Sequence, residues 1–200
     1  MKNIKKNRMI TYCEAINETL NQEMKRNKNV VAYGLEDKVF GSTKNLSKNF
    51  GSKRFFFTPL SEDLLTGMSL GLAISGKIPI FNHIRVDFLL LGMNQLINMI
   101  SSYRFSTNGK SKVPILIRAV IGRGWGQGYQ HSKSLQSIFS HIPGLKVIMP
   151  STPKDVKGML TSALRGNSPV ICLEHRWLYW QKGYVPKNQY TIDLNKSNIL

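Results

Sequence analysis

The stretch VPILIRAVIGRGWGQGYQHS, residues 113–132, decides the fold. Its opening, VPILIRAV (113–120), is an apolar run of the length of a buried strand. Four glycines at alternate positions, Gly122, Gly124, Gly126 and Gly128, then lead into His131. Taken locally, this run fits a loop that cradles phosphate and delivers a base. It fits a flexible turn as well. The flanking chain has to separate the two.

Outward from this stretch the same alternation recurs. VVAYG (30–34), RFFFTP (54–59), IPIFNHI (78–84), LKVIMP (145–150) and PVICLEH (169–175) read as further short strands. Helical patterns separate them. Thr11 and Glu14 form a capping box that opens a helix over 12–26. A short helix is expected near 43–49. Ser61 is placed to cap EDLLTGMSLGLAISG (62–76), with Glu62 and Asp63 favourable to the dipole in its first turn. The small residues Gly67, Gly71, Ala73 and Ser75 predict close packing of that helix on a neighbour. FLLLGMNQLINMISSYRF (88–105) predicts a long, largely buried helix, and residues 134–141 a short one. Thr152-Pro153 starts a helix that runs to about Arg165. The whole predicts an open, mostly parallel α/β sheet with helices on both faces. Ligands on such sheets sit beyond the carboxyl ends of strands, where Glu36, Glu62, His83, Arg85 and His131 all fall.

At 200 residues and 42% hydrophobic, the chain predicts one full domain. The expected division is a basic leader (1–9), the domain (10–180), and a linker (181–200) toward a C-terminal domain absent from this chain. No apolar run is long enough to span a bilayer, and no secretory signal follows the basic start MKNIKKNRMI. Cys13 and Cys172 lie inside apolar segments without a CxxC pair, which predicts reduced core thiols and a cytoplasmic location. The net charge of +17 is spread along the chain and follows no RNP, zinc-finger or basic-helix pattern. Nucleic-acid binding is therefore not expected; the charge suits a Lys/Asn-rich proteome or an acidic partner subunit.

Several chemistries lack their residues. There is no GxxxxGK[ST] and no GxSxG, and GxGxGxG after a late strand is not a dinucleotide fingerprint. His83, His131, His141 and His175 lack the spacing of zinc ligands, so no metal site is expected. What remains is an acid at a strand-to-helix junction, Glu62, and a histidine after the glycine run, His131. On local evidence each also reads as an ordinary helix-start glutamate or loop histidine. Arg85, between Ile84 and Val86, is odder, because a charge there needs a partner or an open cleft.

At FGSKRFFFTPLSEDLLTGMSLGLAISGKIPI, VDFLLLGMNQLINMISSYRF, the 113–160 segment and SPVICLEHRWLY, the chain resembles the β subunit of thiamine-diphosphate-dependent 2-oxo acid dehydrogenases, collinearly over roughly residues 9–195. The resemblance implies a transketolase-like pyrimidine-binding fold. It implies that Glu62 hydrogen-bonds the cofactor's aminopyrimidine and favours the imino tautomer that activates the thiazolium. It further implies that Phe88 packs on that ring, that Leu60 and Ile84 line the pocket, and that Glu36 is an acidic cofactor-site residue. It also implies that His131 faces the substrate. The superfamily's GDG…N motif for Mg²⁺ and diphosphate is missing here and belongs, in the family, to an α subunit. An α-like partner, an α2β2 assembly and a lipoyl acyltransferase as acceptor are thus implied, with a small 2-oxo acid as substrate. His83 and Arg85 depart from the family pattern, and either a substrate carboxylate or an interface carboxylate would suit them. Arg123 and Trp125 are candidates for partner or substrate contacts. Lys133 stands where glutamine is common, and Gly166 where many relatives carry an aspartate tied to a monovalent cation, so that ion is not expected. A split transketolase-like enzyme and a non-catalytic pairing module of the same fold are the other readings.

Overall fold

A computed structural model describes residues 8–35, 41–124 and 126–196. Its elements run β1 (Met9–Thr11), α1 (Tyr12–Arg26), β2 (Val30–Gly34), α2 (Leu46–Phe50), β3 (Phe55–Phe57), α3 (Glu62–Ile74), β4 (Ile78–Arg85), α4 (Val86–Leu89), α5 (Ser101–Ser106), β5 (Leu116–Ile121), α6 (Gln136–Ser140), β6 (Lys146–Ile148), α7 (Pro153–Arg165), β7 (Val170–His175) and β8 (Lys182–Tyr184).

Six strands form one sheet in the order β3-β2-β4-β5-β7-β6, and every pairing in it is parallel. The chain leaves β2 first to one side (β3) and then to the other (β4). The crevice where strand order reverses therefore lies at the carboxyl ends of β2 and β4. One face is covered by α1 and α7, through Ile16, Leu20, Val156 and Leu160. The other is covered by α3 and the 86–106 segment, through Leu65, Leu70, Leu89 and Leu96. The mostly parallel sheet expected from the sequence is what forms.

The helix starts follow their capping chemistry where it is present. Thr11 Oγ1 accepts from the Glu14 amide at 3.1 Å and the Glu14 carboxylate accepts from the Thr11 amide at 2.7 Å. That backbone donor holds the Glu14 carboxyl below its usual range. Thr152 caps α7 by accepting from the Asp155 amide at 3.1 Å, with Pro153 at the first position. Ser61 does not cap α3: at φ −166° and ψ 71° its side chain makes no cap bond, and the first turn stays open.

The long helix expected over 88–105 is broken. After α4 come a 3₁₀ turn (Leu90–Gly92), a π-helical stretch (Gln95–Ile100) and α5. The break accompanies a close approach to α3, where a Cβ on Gly92 would lie 2.5 Å from Thr66 Oγ1 and one on Gly67 3.1 Å from Gln95 Oε1. Nor is the segment largely buried. Leu89, Leu96 and Ile100 face the sheet, while Leu91, Ile97, Met99 and Phe105 are exposed.

β1 and β8 pair antiparallel beside the main sheet, Met9 opposite Tyr184. Past β8 the chain lies along α7. The buried Lys157 ammonium donates to the Pro186 and Lys187 carbonyls at 2.7 and 3.0 Å, and Ser162 exchanges hydrogen bonds with Ile192. No helix of the described residues is long and apolar enough to cross a membrane.

Candidate functional site

The site forms at the carboxyl edge of the sheet, from the starts of α3 and α4 and the loop after β5. Glu62 is the first residue of α3. Its carboxylate is half-buried and has no hydrogen bond or ion pair among the described residues; its carbonyl accepts from Thr66 Oγ1 at 2.6 Å. Thr66, one turn on from Glu62, meets Gly92, one turn on from Phe88. The two helices thus begin side by side, with Glu62 and Phe88 at their open ends. Leu60, just before α3, is 71% exposed, and Leu64 in its first turn is 66% exposed. Such apolar exposure beside a free carboxylate leaves a surface suited to an apolar ring with a polar edge.

The glycine-rich loop closes over the α4 start at three points. Phe88 and His131 meet edge to face, ring centroids 5.2 Å apart. Asp87, buried, accepts from the Lys133 amide at 3.2 Å and pairs with its ammonium at 3.5 Å. Arg85 donates to the Gln127 side-chain oxygen. His131 is fixed from behind as well: the Arg176 guanidinium donates to its carbonyl at 2.9 Å, and its Nδ1 is shielded without a partner, leaving Nε2 as the accessible ring nitrogen. The loop can take this course because its glycines adopt positive φ. Gly122 (φ 99°) and Gly124 (φ 102°) also lie against His175 and Trp177, where a Cβ would sit 2.7 Å from His175 Nε2 and 3.0 Å from the Trp177 ring.

A β-bulge lies at the end of β4. His83 pairs with Ala119 and Arg85 with Val120, so Ile84 is the extra residue and the alternation of side chains breaks there. His83 is buried at 2% exposure, edge-on to Phe81, with neither ring nitrogen bonded. Burial pushes its pKa down to about 4, so it is neutral at pH 7. Arg85 stays half-buried at the surface. Burial lowers its pKa, opposed by the nearby Asp87. Its Nη1 is shielded and unpartnered. Ile84 lines a cavity of about 30 Å³ with Ser42, Asn82, His83, Arg118, Val120, Glu174 and Tyr179.

That cavity exposes residues that sequence reasoning passed over. Arg118 on β5 grips Glu174 on β7 with two bonds, 2.7 and 3.0 Å, and also donates to Asn82 at 2.8 Å and Ser42 at 3.0 Å. The Tyr179 hydroxyl donates to the same carboxylate. The signal was available, since Arg118 is a charge inside the apolar run PILIRAV.

Glu62, Phe88, Leu60 and His131 are thus brought to one edge, with Ile84 and Arg85 beside them; His83 is at that edge but beneath the surface. Arg123 is exposed in the loop. Glu36 and Trp125 lie outside the described residues.

A parallel sheet with an unbonded carboxylate and an aromatic–histidine pair at its switch-point edge has the layout of an α/β ligand-binding domain. The sequence matches the model of the transketolase pyrimidine-binding domain over residues 8–181, and the chain belongs to that family. Among curated proteins it is similar to the β subunit of acetoin:2,6-dichlorophenolindophenol oxidoreductase of Cupriavidus necator (40% identical, covering 93% of this chain and 59% of that one). It is also similar to the 2-oxoisovalerate dehydrogenase β subunit of Bacillus subtilis (36%; 96% and 60%) and the pyruvate dehydrogenase E1 component β subunit of Staphylococcus aureus (36%; 95% and 60%). The chain spans about 60% of the length of these relatives. Among solved structures, a split-gene transketolase described as an inactive β4 tetramer superposes with a TM-score of 0.68 over 84% of this chain and 51% of its own, at 22% identity. The transketolase of Leishmania mexicana gives 0.68 over 94% and 28%, at 17%. Those two likenesses establish the fold.

Proposed function

We propose that this chain is the pyrimidine-binding part of a β-type subunit of a thiamine-diphosphate-dependent 2-oxo acid dehydrogenase, acting in the cytoplasm with an α-like partner. The observation that carries the reading is the pairing of the unbonded Glu62 carboxylate with the Phe88–His131 contact at one sheet edge. The names of the curated relatives, all β subunits, support the partner and the substrate class.

The donor set fits an aminopyrimidine. A carboxylate with no protein partner can share a proton with a ring nitrogen, and Phe88 with Leu60 and Ile84 can flank the ring. When bound, thiamine diphosphate would supply the carbon nucleophile that adds to the 2-oxo acid and the electron sink for the pair left by CO2. In this chain Glu62 would hold the shared proton, Phe88 would fix the ring's tilt, and His131 would present Nε2 to the acyl group. The diphosphate and Mg²⁺ are assigned to the partner subunit. The exposed apolar Leu64, Leu91 and Met99 support a surface for that subunit. An α2β2 assembly and transfer of the acyl group to a lipoyl acyltransferase complete the proposal.

The test is decarboxylation by the chain co-purified with its α-like partner. Glu62→Ala should lower turnover by about 10²–10⁴-fold while the complex still assembles. Undiminished turnover in that variant refutes the assignment of Glu62. Turnover by this chain alone refutes the shared site.

A further inference from the structure

We propose that Arg85 is a specificity-determining residue that binds a second, distal carboxylate on the substrate, so that the cleft prefers a dicarboxylic 2-oxo acid. The inference rests on the reading just given and names the substrate class of that same site.

Three observations carry it. First, Arg85 has no carboxylate partner among the described residues. Asp87, two residues on, is engaged by the Lys133 amide and ammonium. The only acceptor Arg85 has among the described residues is the neutral side-chain oxygen of Gln127. A half-buried guanidinium with one neutral acceptor and a shielded, unpartnered Nη1 is short of an anion. Second, its placement is built in. The bulge at Ile84 breaks the strand's alternation just before Arg85, and the three contacts between residues 85–88 and the glycine loop set it on the same wall as His131. Third, among the described residues no carboxylate at this wall is bonded to the cation. Lys133 spends its charge on Asp87, Arg123 is exposed, and the Glu174 carboxylate is held by Arg118 and Tyr179.

The distal carboxylate, and not the reacting one, is the group this arginine suits. Decarboxylation breaks the bond to the reacting carboxylate and releases it as neutral CO2, its electron pair staying on the adjacent carbon. An arginine clamped on that carboxylate would stabilise the ground state alone and raise the barrier. A carboxylate at the far end of the acyl chain keeps its charge throughout, so binding it lowers KM without opposing the chemistry.

The experiment uses the chain co-purified with its α-like partner, loaded with thiamine diphosphate and Mg²⁺. CO2 release is compared for 2-oxoglutarate and 2-oxoadipate against the monocarboxylates 2-oxopentanoate and 2-oxohexanoate, which lack the distal charge. Binding of unreactive glutarate against pentanoate is measured in parallel by calorimetry. The dicarboxylates should show at least tenfold higher kcat/KM, about the discrimination of one charge-assisted hydrogen bond. Arg85→Met should reduce that ratio to near one and abolish the glutarate preference, Arg85→Lys should keep part of both, and Lys110→Met, a charge removed elsewhere, should change neither. A preference for the monocarboxylic acids, or one that Arg85→Met leaves intact, overturns the inference. So does loss of the complex in Arg85→Met and Arg85→Lys alike, since Arg85 would then be a contact to the partner. If no 2-oxo acid is decarboxylated but glutarate still binds through Arg85, the subunit reading fails and the carboxylate site stands.

Discussion

The buried charge network below the site makes a quantitative demand on stability. Arg118 is 5% exposed and Glu174 1% exposed, and they face one another across neighbouring strands with a two-bond contact. Arg118→Met removes the cation and its bonds to Asn82 and Ser42 while leaving the Glu174 carboxyl in the sheet with the Tyr179 hydroxyl. A buried charge stripped of its partner costs about 3–5 kcal/mol, whereas a pair replaced together by apolar side chains of similar volume is often close to neutral. Arg118→Met should therefore lower stability by about 3–5 kcal/mol and, for a chain of this size, Tm by roughly 10 °C. The double variant Arg118→Met/Glu174→Leu should recover most of that loss. The assay is equilibrium urea unfolding followed by circular dichroism, with slopes compared to confirm that only stability has moved. A single variant within about 1 kcal/mol of the parent, or a double variant as unstable as the single, refutes the argument that the cost is the stranded carboxylate. The network also lines the cavity behind Ile84, so its loss should loosen the edge on which the cofactor ring is proposed to rest.

Three further outcomes are expected. His83 is neutral in the fold, its pKa pushed from 6.5 to about 4 by burial, so the unfolded chain binds an extra proton between those values. Its contribution is fully present above about pH 6.5 and is lost as pH falls toward 4; His83→Leu should gain roughly 3 kcal/mol relative to the parent over that interval in urea titrations, and parallel curves would refute it. Gly122→Ala places a Cβ against His175 at φ 99° and should cost about 1–3 kcal/mol, detectable as a lowered Tm and faster proteolysis within the glycine loop; an unchanged Tm and cleavage rate would count against the packing argument. Lys157→Met removes the ammonium that holds the Pro186 and Lys187 carbonyls and should raise amide exchange across 185–192; unchanged exchange there would mean that Lys157 does not fasten the tail.

The sequence carried the sheet and the helix starts further than it carried the helix over 88–105. The strands are short and apolar, β2, β3, β5 and β6 are ended by glycine or proline, and the caps at Thr11 and Thr152 are local chemistry that needs no partner. The 88–105 run is apolar on all sides, which reads as burial. Its exposed half, and its break against Thr66 and Gly67, depend on what lies across from it. The expected Ser61 cap failed for a related reason: the residue type is right, but the backbone there turns away from the cap conformation.

The two strand arginines separate what a one-dimensional reading can and cannot find. Both Arg85 and Arg118 break an apolar run, and the cost of burying an unpaired charge applies equally to each. Arg85 is the one that stands out in sequence, because it falls at a strand end beside other polar residues. Arg118 has its answer in β7, 56 residues away, where register sets Glu174 opposite Val120 and within reach of its guanidinium. Nothing in the sequence near either residue encodes that register. Once it is known, the two cases divide on physical grounds. Arg118 is satisfied from within the sheet and belongs to its stability, whereas Arg85 finds, among the described residues, only a neutral amide oxygen, and the proposed substrate role of Arg85 rests on that difference.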